Sequence, residues 1–334
     1  MKNQLLRVCD LLNLFSLFNT FTRNRATVFM MHHFCNWGER DGDSLPTDIL
    51  DRCLKYLLDN NYSVIPLSEY INKLINCRHL YKTVVFTIDD GHCDFYEYAY
   101  PIFKKYRMSV AVFLVSDYID GEITLWWDQV RYAINNIKAE EIELSVNKKK
   151  LHYSLRTNSE KSFAVDQLIE FCKTISEDQR FGLIDELKNL RTGNLVLKNH
   201  GKNRPLSWDE IIEMADNGME FFPHTKTHPV LIQCSEEKVR NEICESKMKV
   251  EGKLARDGNI FCYPNGRFSD VNDNIIKALK EAGYIAALTA EEGFDPAHEK
   301  NDLFRLKRYS FPIDFLRFKQ LISGLEVLKD ALRK

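Results

Sequence analysis

Short apolar runs rich in β-branched and aromatic residues alternate along the chain with stretches whose apolar residues recur at helical spacing. Such alternation is typical of a parallel sheet covered by helices. About seven or eight of these units favour a closed α/β barrel over an open sheet. The predicted strands are Ala26–Met31, Tyr62–Pro66, Thr83–Ile88, Ser109–Val115, Met219–Phe222, Asn259–Tyr263, Tyr284–Leu288 and Phe304–Tyr309. The predicted helices are Pro46–Asn60, Ser68–Asn76, Tyr96–Tyr106, Ser207–Asn217, Glu236–Ala255 and Asp270–Ala282.

The segment from about 120 to 205 interrupts this alternation, because it contains no strand and helix unit of the same type. We interpret it as an insertion in the barrel, or a lid over it, rather than an independent domain. Its predicted elements are a hairpin (Glu141–Leu155, with turn residues Asn147 to Lys150), two helices (Ser159–Ile175 and Ser176–Leu190) and a loop (Gly193–Pro205).

The two ends of the chain are predicted to be helical. We expect an N-terminal amphipathic helix in 1–24, the barrel in 25–315, and a C-terminal helix in 316–334. Polar residues interrupt the apolar positions of the first segment, and no small-residue cleavage site follows, so it does not resemble a secretory signal. The helix either packs on the domain or lies at a membrane surface.

Composition limits the classes of partner and compartment. Lys and Arg (46) nearly balance Asp and Glu (48), so no long-range field suits nucleic acid, and we expect no nucleic-acid partner. The nine cysteines form no CxxC pair, which indicates reduced thiols. No run of about 18 apolar residues exists. The expected location is the cytoplasm, with peripheral membrane contact through the N-terminal helix as the alternative.

Two adjacent carboxylates end one predicted strand. Asp89 and Asp90 follow the buried run Thr83–Ile88, and Gly91 permits a tight turn after them. Neighbouring carboxylates repel each other and are costly without a cation or strong donors nearby. Sites form at the carboxyl ends of parallel strands. By itself, the pair is better explained as a solvated turn.

Two histidines follow another predicted strand. His224 and His228 come directly after Met219–Phe222, and neutral imidazoles are common ligands for zinc and similar metals. An isolated HxxxH is weak evidence. Together with the Asp pair, it indicates a metal held by two histidines and one aspartate, with positions open for water and substrate. The second aspartate can then serve as a base.

These segments resemble the NodB-homology polysaccharide deacetylase family, also described as carbohydrate esterase family 4. The subgroup resembled is the one with an N-terminal Y-H-R-V-like segment. The resemblance covers residues of about 25 to 312, most loosely in the insertion. The matching segments are Thr87-Ile88-Asp89-Asp90-Gly91 (family T-F-D-D-G), His224-Thr225-Lys226-Thr227-His228-Pro229 (family H-[ST]-x-x-H), Tyr263-Pro264-Asn265-Gly266 (family Y-P-x-G) and Val28-Phe29-Met30-Met31-His32-His33-Phe34 (family V-L-M-Y-H-R-V).

The resemblance implies a distorted (β/α) barrel with the site at the carboxyl ends of the strands. It implies a divalent metal, first of all zinc, with nickel, cobalt, iron and manganese as alternatives. Asp90, His224 and His228 would hold the metal, and Asp89 would be the catalytic base. The backbone N–H of Tyr263 would stabilise the oxyanion of the transition state.

This sequence departs from the family pattern at two points. The L-x-H segment that supplies a general acid in many members corresponds to Arg305–Tyr309, which contains no histidine. Members with the Y-H-R-V segment use its histidine instead, which makes His32 the candidate acid and His33 its rival. The arginine that braces the base in R-x-P-Y members is also missing, and we expect Arg308 to brace Asp89 in its place.

We expect Trp126, Trp127, Pro264 and Asn265 to contact substrate, with core packing as the alternative for the tryptophans. The pair His92 and Cys93 lacks a third orienting group, so we do not expect a cysteine nucleophile.

The predicted function is removal of an N-acetyl group from an amino sugar in a polysaccharide, glycolipid or sugar precursor. A lipid-linked or nucleotide-linked precursor suits a cytoplasmic protein. The alternatives are a hydrolase of another amide on the same fold and an inactive carbohydrate-binding homologue.

Overall fold

The structure is a computed structural model that describes residues 14–39, 44–146, 149–190, 204–297 and 302–333. Each predicted strand overlaps an observed one, usually with shorter bounds. The last strand differs most, because the chain makes only a single bridge at Leu306 before the strand begins at Tyr309. The strands are β1 (Ala26–Met31), β2 (Phe34–Cys35), β3 (Leu45–Pro46), β4 (Ser63–Val64), β5 (Thr83–Ile88), β6 (Ala111–Leu114), β7 (Glu141–Val146), β8 (Lys149–Ser154), β9 (Glu220–Pro223), β10 (Ile260–Cys262), β11 (Ala286–Leu288) and β12 (Tyr309–Ser310).

The predicted helices are also present, within a few residues of their expected ends. The predicted helix Tyr96–Tyr106 begins as a π-helical turn, Phe95–Ala99, before it becomes α-helical. The helices are α1 (Thr47–Asp59), α2 (Leu67–Ile75), α3 (Tyr100–Tyr106), α4 (Ser116–Ile119), α5 (Trp126–Asn136), α6 (Asn158–Cys172), α7 (Glu177–Asn189), α8 (Trp208–Asp216), α9 (Glu236–Leu254), α10 (Asp273–Glu281), α11 (Phe315–Ile322) and α12 (Leu325–Arg333).

Six parallel strands form the main sheet, in the order β12-β1-β5-β6-β9 with β4 beside the first half of β5. Strands β10 and β11 form a separate parallel pair. Two contacts close the gaps between the sheets: Leu306 bridges to Leu288 at the end of β11, and the His224 imidazole hydrogen bonds to Cys262 O at the end of β10. The predicted distorted (β/α) barrel is confirmed.

Alternate residues of the central strands face two different cores. Phe86 of β5 lies in a core shared with α1, α3 and α11. Val85 lies in a second core with Val28, Phe113 and Ile260. One face of the main sheet therefore packs against one face of the pair β10 and β11 in this core. Helix α2 packs against this second core as well. Because both faces of β5 are covered, all six of its residues are buried, as expected for a strand within a barrel.

The segment predicted as an insertion has its own hydrophobic core. It consists of α5, the antiparallel hairpin β7–β8, α6 and α7, whose buried apolar residues pack together. Helices α6 and α7 both begin with a capping box, at Thr157 and Ser176, which fixes where each starts. Part of the predicted hairpin turn and most of the predicted loop Gly193–Pro205 lie outside the described residues.

The two terminal segments pack on each other. Of the predicted N-terminal helix, residues 1–13 lie outside the described residues, and Leu14–Thr22 forms a 3-10 helix that contacts α11 and α12. The predicted single C-terminal helix is divided into α11 and α12 at Gly324, whose φ of 84° favours glycine. In the part of the chain described, no helix has the length and apolar character needed to cross a membrane.

Candidate metal centre and active site

The ends of β5 and β9 place the two predicted motifs side by side. Asp89 N–H donates to Met31 O, which extends the pairing of β1 and β5 by one residue. His224 N–H donates to Leu114 O in the same way at the end of β9. Gly91 then turns the chain with a φ of 86°, and a Cβ there would lie 2.8 Å from Ile119 Cδ1. The backbone conformation therefore favours glycine here, and any larger residue would also displace the side chain ends of Ile119 and Leu114.

Asp90, His224 and His228 converge on one point. Asp90 Oδ1 lies 3.6 Å from His224 Nε2 and 3.5 Å from His228 Nε2, and all three side chains are buried. Tetrahedral ligands about 2.1 Å from a zinc ion lie about 3.4 Å apart. Asp90 Oδ1 has no hydrogen-bond partner among the described residues, which is costly for a buried carboxylate. The donor set, spacing and unpaired oxygen fit a divalent metal.

The two imidazoles are prepared for metal binding in different ways. The Nδ1 of His224 is 2.8 Å from Cys262 O, so it carries the proton and leaves Nε2 as the ligand atom. Burial lowers the pKa of His228 to about 3, which keeps that ring neutral. The ring of Trp127 meets His228 edge-on, with 4.5 Å between the ring centroids.

Asp89 lies beside this group but is held by Arg308. The two Nη atoms of Arg308 donate to the two carboxylate oxygens, at 2.7 and 2.9 Å. Burial by itself would raise the pKa of Asp89, but the charge and hydrogen bonds of Arg308 outweigh it and hold this pKa below its usual range. The carboxylate is thus kept ionised. The expected contact between Arg308 and Asp89 is present.

His32 and His33 lie at the mouth of the site in different settings. His32 Nε2 is 3.7 Å from Asp89 Oδ2, and its side chain is 44% exposed. His33 Nδ1 is hydrogen bonded to Asp94 Oδ2 at 2.8 Å, and its ring lies against that of His92. His32 therefore faces the base, whereas His33 belongs to a neighbouring polar cluster.

The expectation for Tyr263 needs correction. Its N–H donates to Leu288 O at 3.1 Å, continuing the pairing of β10 and β11, so it is not free to bind an oxyanion. Its hydroxyl donates to Phe304 O. Two residues on, Asn265 lines the cavity with a φ of 60°, and its Nδ2 is buried with no hydrogen-bond partner among the described residues.

The three candidate metal ligands, Asp90, His224 and His228, line a cavity of about 920 Å³. One wall comes from the segment predicted as an insertion, through Trp127 and Arg131 of α5, Asp166 of α6, and Lys173, which caps the end of α6. Trp126 is 4% exposed and packs in the core of the insertion, so core packing describes it better than substrate contact. Pro264 is buried behind the wall, where its carbonyl accepts from Gly266 N–H.

Sequence reasoning missed several residues around the centre. His92 Nε2 lies 3.6 Å from Asp90 Oδ2, Cys262 Sγ lies 3.0 Å from Arg308 Nη2, and Asp128 is buried beside the cavity. His92 and Asp94 closely follow the Asp pair in sequence. This closeness was the signal that could have placed them near the site. Cys93 is buried and its pKa is raised to about 12 by burial, in agreement with the expectation that it is not a nucleophile.

A family model described as "Polysaccharide deacetylase" matches residues 78–146 and 184–287, more than half of the chain. The chain belongs to the polysaccharide deacetylase family. The stretch between the two matched ranges, residues 147–183, falls within the segment predicted as an insertion.

Individual relatives are distant in sequence. YxkH of Bacillus subtilis, whose assignment as a polysaccharide deacetylase is itself provisional, is 21% identical over 255 residues, or 75% of this chain. The chain spans 61% of the length of that curated relative.

Among solved structures, the deacetylase PplD of Streptococcus pyogenes has a TM-score of 0.58 at 19% identity, covering 91% of this chain and 97% of PplD. IcaB of Ammonifex degensii also has a TM-score of 0.58, at 15% identity, covering 90% and 97% of the two chains. A de-N-acetylase of Aggregatibacter actinomycetemcomitans reaches 0.54 at 15% identity, covering 89% and 99%. At these identities the likeness establishes the shared fold.

Proposed function

We propose that this protein is a metal-dependent hydrolase that removes the N-acetyl group from an amino sugar. The observation that carries the proposal is the convergence of Asp90, His224 and His228 beside a separate carboxylate, Asp89, at the floor of a cavity. Catalytic zinc sites typically use three protein ligands and leave a further position open for water or substrate, and Asp89 stays outside the ligand set as a base. Membership of the polysaccharide deacetylase family supports an acetamide as the bond broken.

The ligands in this proposal are Asp90 Oδ1, His224 Nε2 and His228 Nε2. A divalent metal, first of all zinc, would when bound polarise the acetamide carbonyl and make water more acidic. The protein groups supply the rest. Asp89, held ionised by Arg308, takes a proton from the water whose oxygen attacks the carbonyl carbon.

The carbon–nitrogen bond then breaks, and the leaving nitrogen must gain a proton. We assign this proton to His32, because its Nε2 faces Asp89 across the cavity mouth and no hydrogen bond of its ring is seen within the described residues. Acetate and the free amine are the products. Nδ2 of Asn265, buried at the cavity wall, is the donor available to the developing oxyanion in place of Tyr263 N–H.

The substrate belongs to the same proposal. The cavity is bounded by the insertion, and Trp127 presents a half-buried ring beside His228. Aromatic faces of this kind suit a sugar ring. We propose a lipid-linked or nucleotide-linked amino sugar in the cytoplasm, to be compared with N-acetylglucosamine oligomers and glycolipids in one substrate panel.

The decisive experiment pairs metal content with acetate release. Wild type should hold one metal ion and release acetate, whereas His224→Ala should lose both. Asp89→Asn should keep the metal and lose acetate release, since Asp89 lies outside the ligand set. His152→Ala, an exposed histidine on the hairpin, is the matched control and should behave as wild type. A wild type that holds no metal after purification without chelators would refute the mechanism. Metal without acetate release from any substrate would point to another amide.

A further inference from the structure

The loop between the two histidine ligands has a strained backbone. Thr225 and His228 have φ values of 67° and 58°, in the left-handed region that non-glycine residues rarely adopt. Thr225 is β-branched, which makes the conformation less favourable still. Each such residue is costly and persists only when its surroundings impose it. Some group outside the loop must therefore hold His224 and His228 in place.

Glu242 is one such group, together with Ser116 and Asp117, whose backbone N–H groups donate to Thr225 O and Lys226 O. Glu242 lies on α9, is 3% exposed, and reaches the loop from behind the metal ligands. Its Oε2 accepts from the N–H groups of Lys226 and Thr227, at 2.9 and 2.8 Å, and its Oε1 accepts from Thr227 Oγ1 at 2.6 Å. Both backbone donors lie between the two ligands, so a single carboxylate ties the centre of the loop to a 19-residue helix.

The role of Glu242 differs from that of the aspartates in the cavity. It is absent from the cavity walls and from the group of residues that converge on the metal position. A buried carboxylate with three donors supplied by one loop is well satisfied, and removing it would leave two backbone N–H groups unpaired. The loop could then relax toward unstrained backbone angles, which would move His228 relative to Asp90.

We propose that Glu242 is a positioning residue that sets the metal affinity of the centre by fixing the loop between His224 and His228. The proposal rests on the metal assignment made under the proposed function. A ligand set that must be reordered on binding has a lower affinity than a preorganised one. Outer groups that orient metal ligands typically change affinity by about 10- to 100-fold when removed.

The test uses full-length, metal-free protein with Co²⁺ as the probe, and no substrate. Affinity is measured by competition with a chelator, the visible spectrum of Co²⁺ reports coordination geometry, and Tm is measured on the metal-free form. Glu242→Ala should weaken Co²⁺ binding by about tenfold or more and alter the spectrum. Glu242→Gln should remain close to wild type, because its carbonyl oxygen can accept from both N–H groups while its amide donates to Thr227 Oγ1.

Two further variants separate positioning from general stability. Val250→Ala truncates another buried side chain of α9, away from the loop, and should lower Tm without changing Co²⁺ affinity. Thr227→Val removes only the contact to Oε1, so it should fold even if Glu242→Ala does not, and should weaken Co²⁺ binding several-fold.

Co²⁺ affinity that is unchanged in Glu242→Ala or in Thr227→Val, or that falls equally in Val250→Ala, would overturn the proposal. A wild type that binds Co²⁺ but deacetylates nothing would leave it standing. A wild type that binds no Co²⁺ would overturn the metal assignment and the proposal together.

Discussion

Arg308 donates two hydrogen bonds to Asp89, from Nη1 to Oδ1 and from Nη2 to Oδ2, although the two residues lie 219 positions apart in sequence. The same guanidinium donates from Nε to Thr289 O and from Nη1 to Thr87 Oγ1. Arg308 is 1% exposed, so neither partner can turn to water. The pair joins the end of β5 to the residue before β12, on the other side of β1 in the main sheet, so the packing of these strands orients the proposed base.

Removal of this arginine should therefore affect both stability and chemistry. We expect Arg308→Gln to lower the free energy of unfolding by roughly 3–5 kcal/mol, because Asp89 is left buried without its partner. Urea denaturation measures this change. Asp89→Asn in the same protein should recover part of the loss, so the double variant should be less destabilised than the sum of the single ones. Arg305→Gln, which removes exposed ion pairs, is the control and should cost little. Strict additivity would show that the pair is not coupled.

Much of this site followed from local sequence. The strand before Asp89 and the one before His224 have patterns typical of a buried strand, and the ends of parallel strands meet at one edge of the sheet. The contact between Arg308 and Asp89 was expected because a braced base needs a cation and the usual arginine position holds Phe261 and Cys262. The role of Glu242 could not be predicted, since a glutamate on an amphipathic helix has the pattern of a solvated residue until packing buries it.

The two adjacent tryptophans should respond differently to truncation. Trp126 lies in the core of the insertion with Arg180 over its ring, so Trp126→Ala should destabilise the protein by roughly 3–5 kcal/mol. Trp127 borders the cavity and touches His228, so Trp127→Ala should change stability far less. On a sugar substrate we expect it to raise KM. Urea denaturation and steady-state kinetics measure the two effects. An equal loss of stability in both variants would place Trp127 in the core as well.

The thiols should differ widely in reactivity. Cys262 is fully buried, and burial raises its pKa well above the usual range, whereas Cys77 is exposed. Brief treatment of the native protein with N-ethylmaleimide, followed by peptide mass mapping, should label Cys77 and spare Cys262 and Cys93. Labelling after unfolding should be uniform, which is the control. Fast native labelling of Cys262 would mean that the barrel opens at β10.

Asp295 should make stability depend on pH in the mildly acidic range. Burial raises the pKa of Asp295 to about 6, against the opposing hydrogen bond from Lys307 N–H. A raised pKa means that the folded protein prefers the protonated form. Its stabilising contribution is complete below about pH 4 and is lost as pH rises through 6. Asp295→Asn keeps an acceptor for Lys307 N–H and removes the titration. We expect it to match wild type near pH 4 and to be more stable by roughly 3 kcal/mol above pH 7. A pH-independent difference between the two proteins would contradict this.

His32 and His33 are adjacent in sequence, yet their side chains make different contacts. His33 is hydrogen bonded to Asp94 and its ring lies against that of His92, whereas His32 faces Asp89 and its ring makes no hydrogen bond among the described residues. If His32 supplies the proton to the leaving nitrogen, His32→Gln should lower kcat by about 10²- to 10⁴-fold while Co²⁺ affinity stays unchanged. His33→Ala should mainly lower Tm, and Asp94→Ala should do the same, because each variant removes one partner of the same hydrogen bond. The opposite ranking in kcat would assign the acid to His33, with Asp94 as the group that orients it. Measuring Co²⁺ affinity in every variant is essential, since His32 and His33 follow the strand that pairs with β5, and a shift of that strand would disturb Asp90 as well.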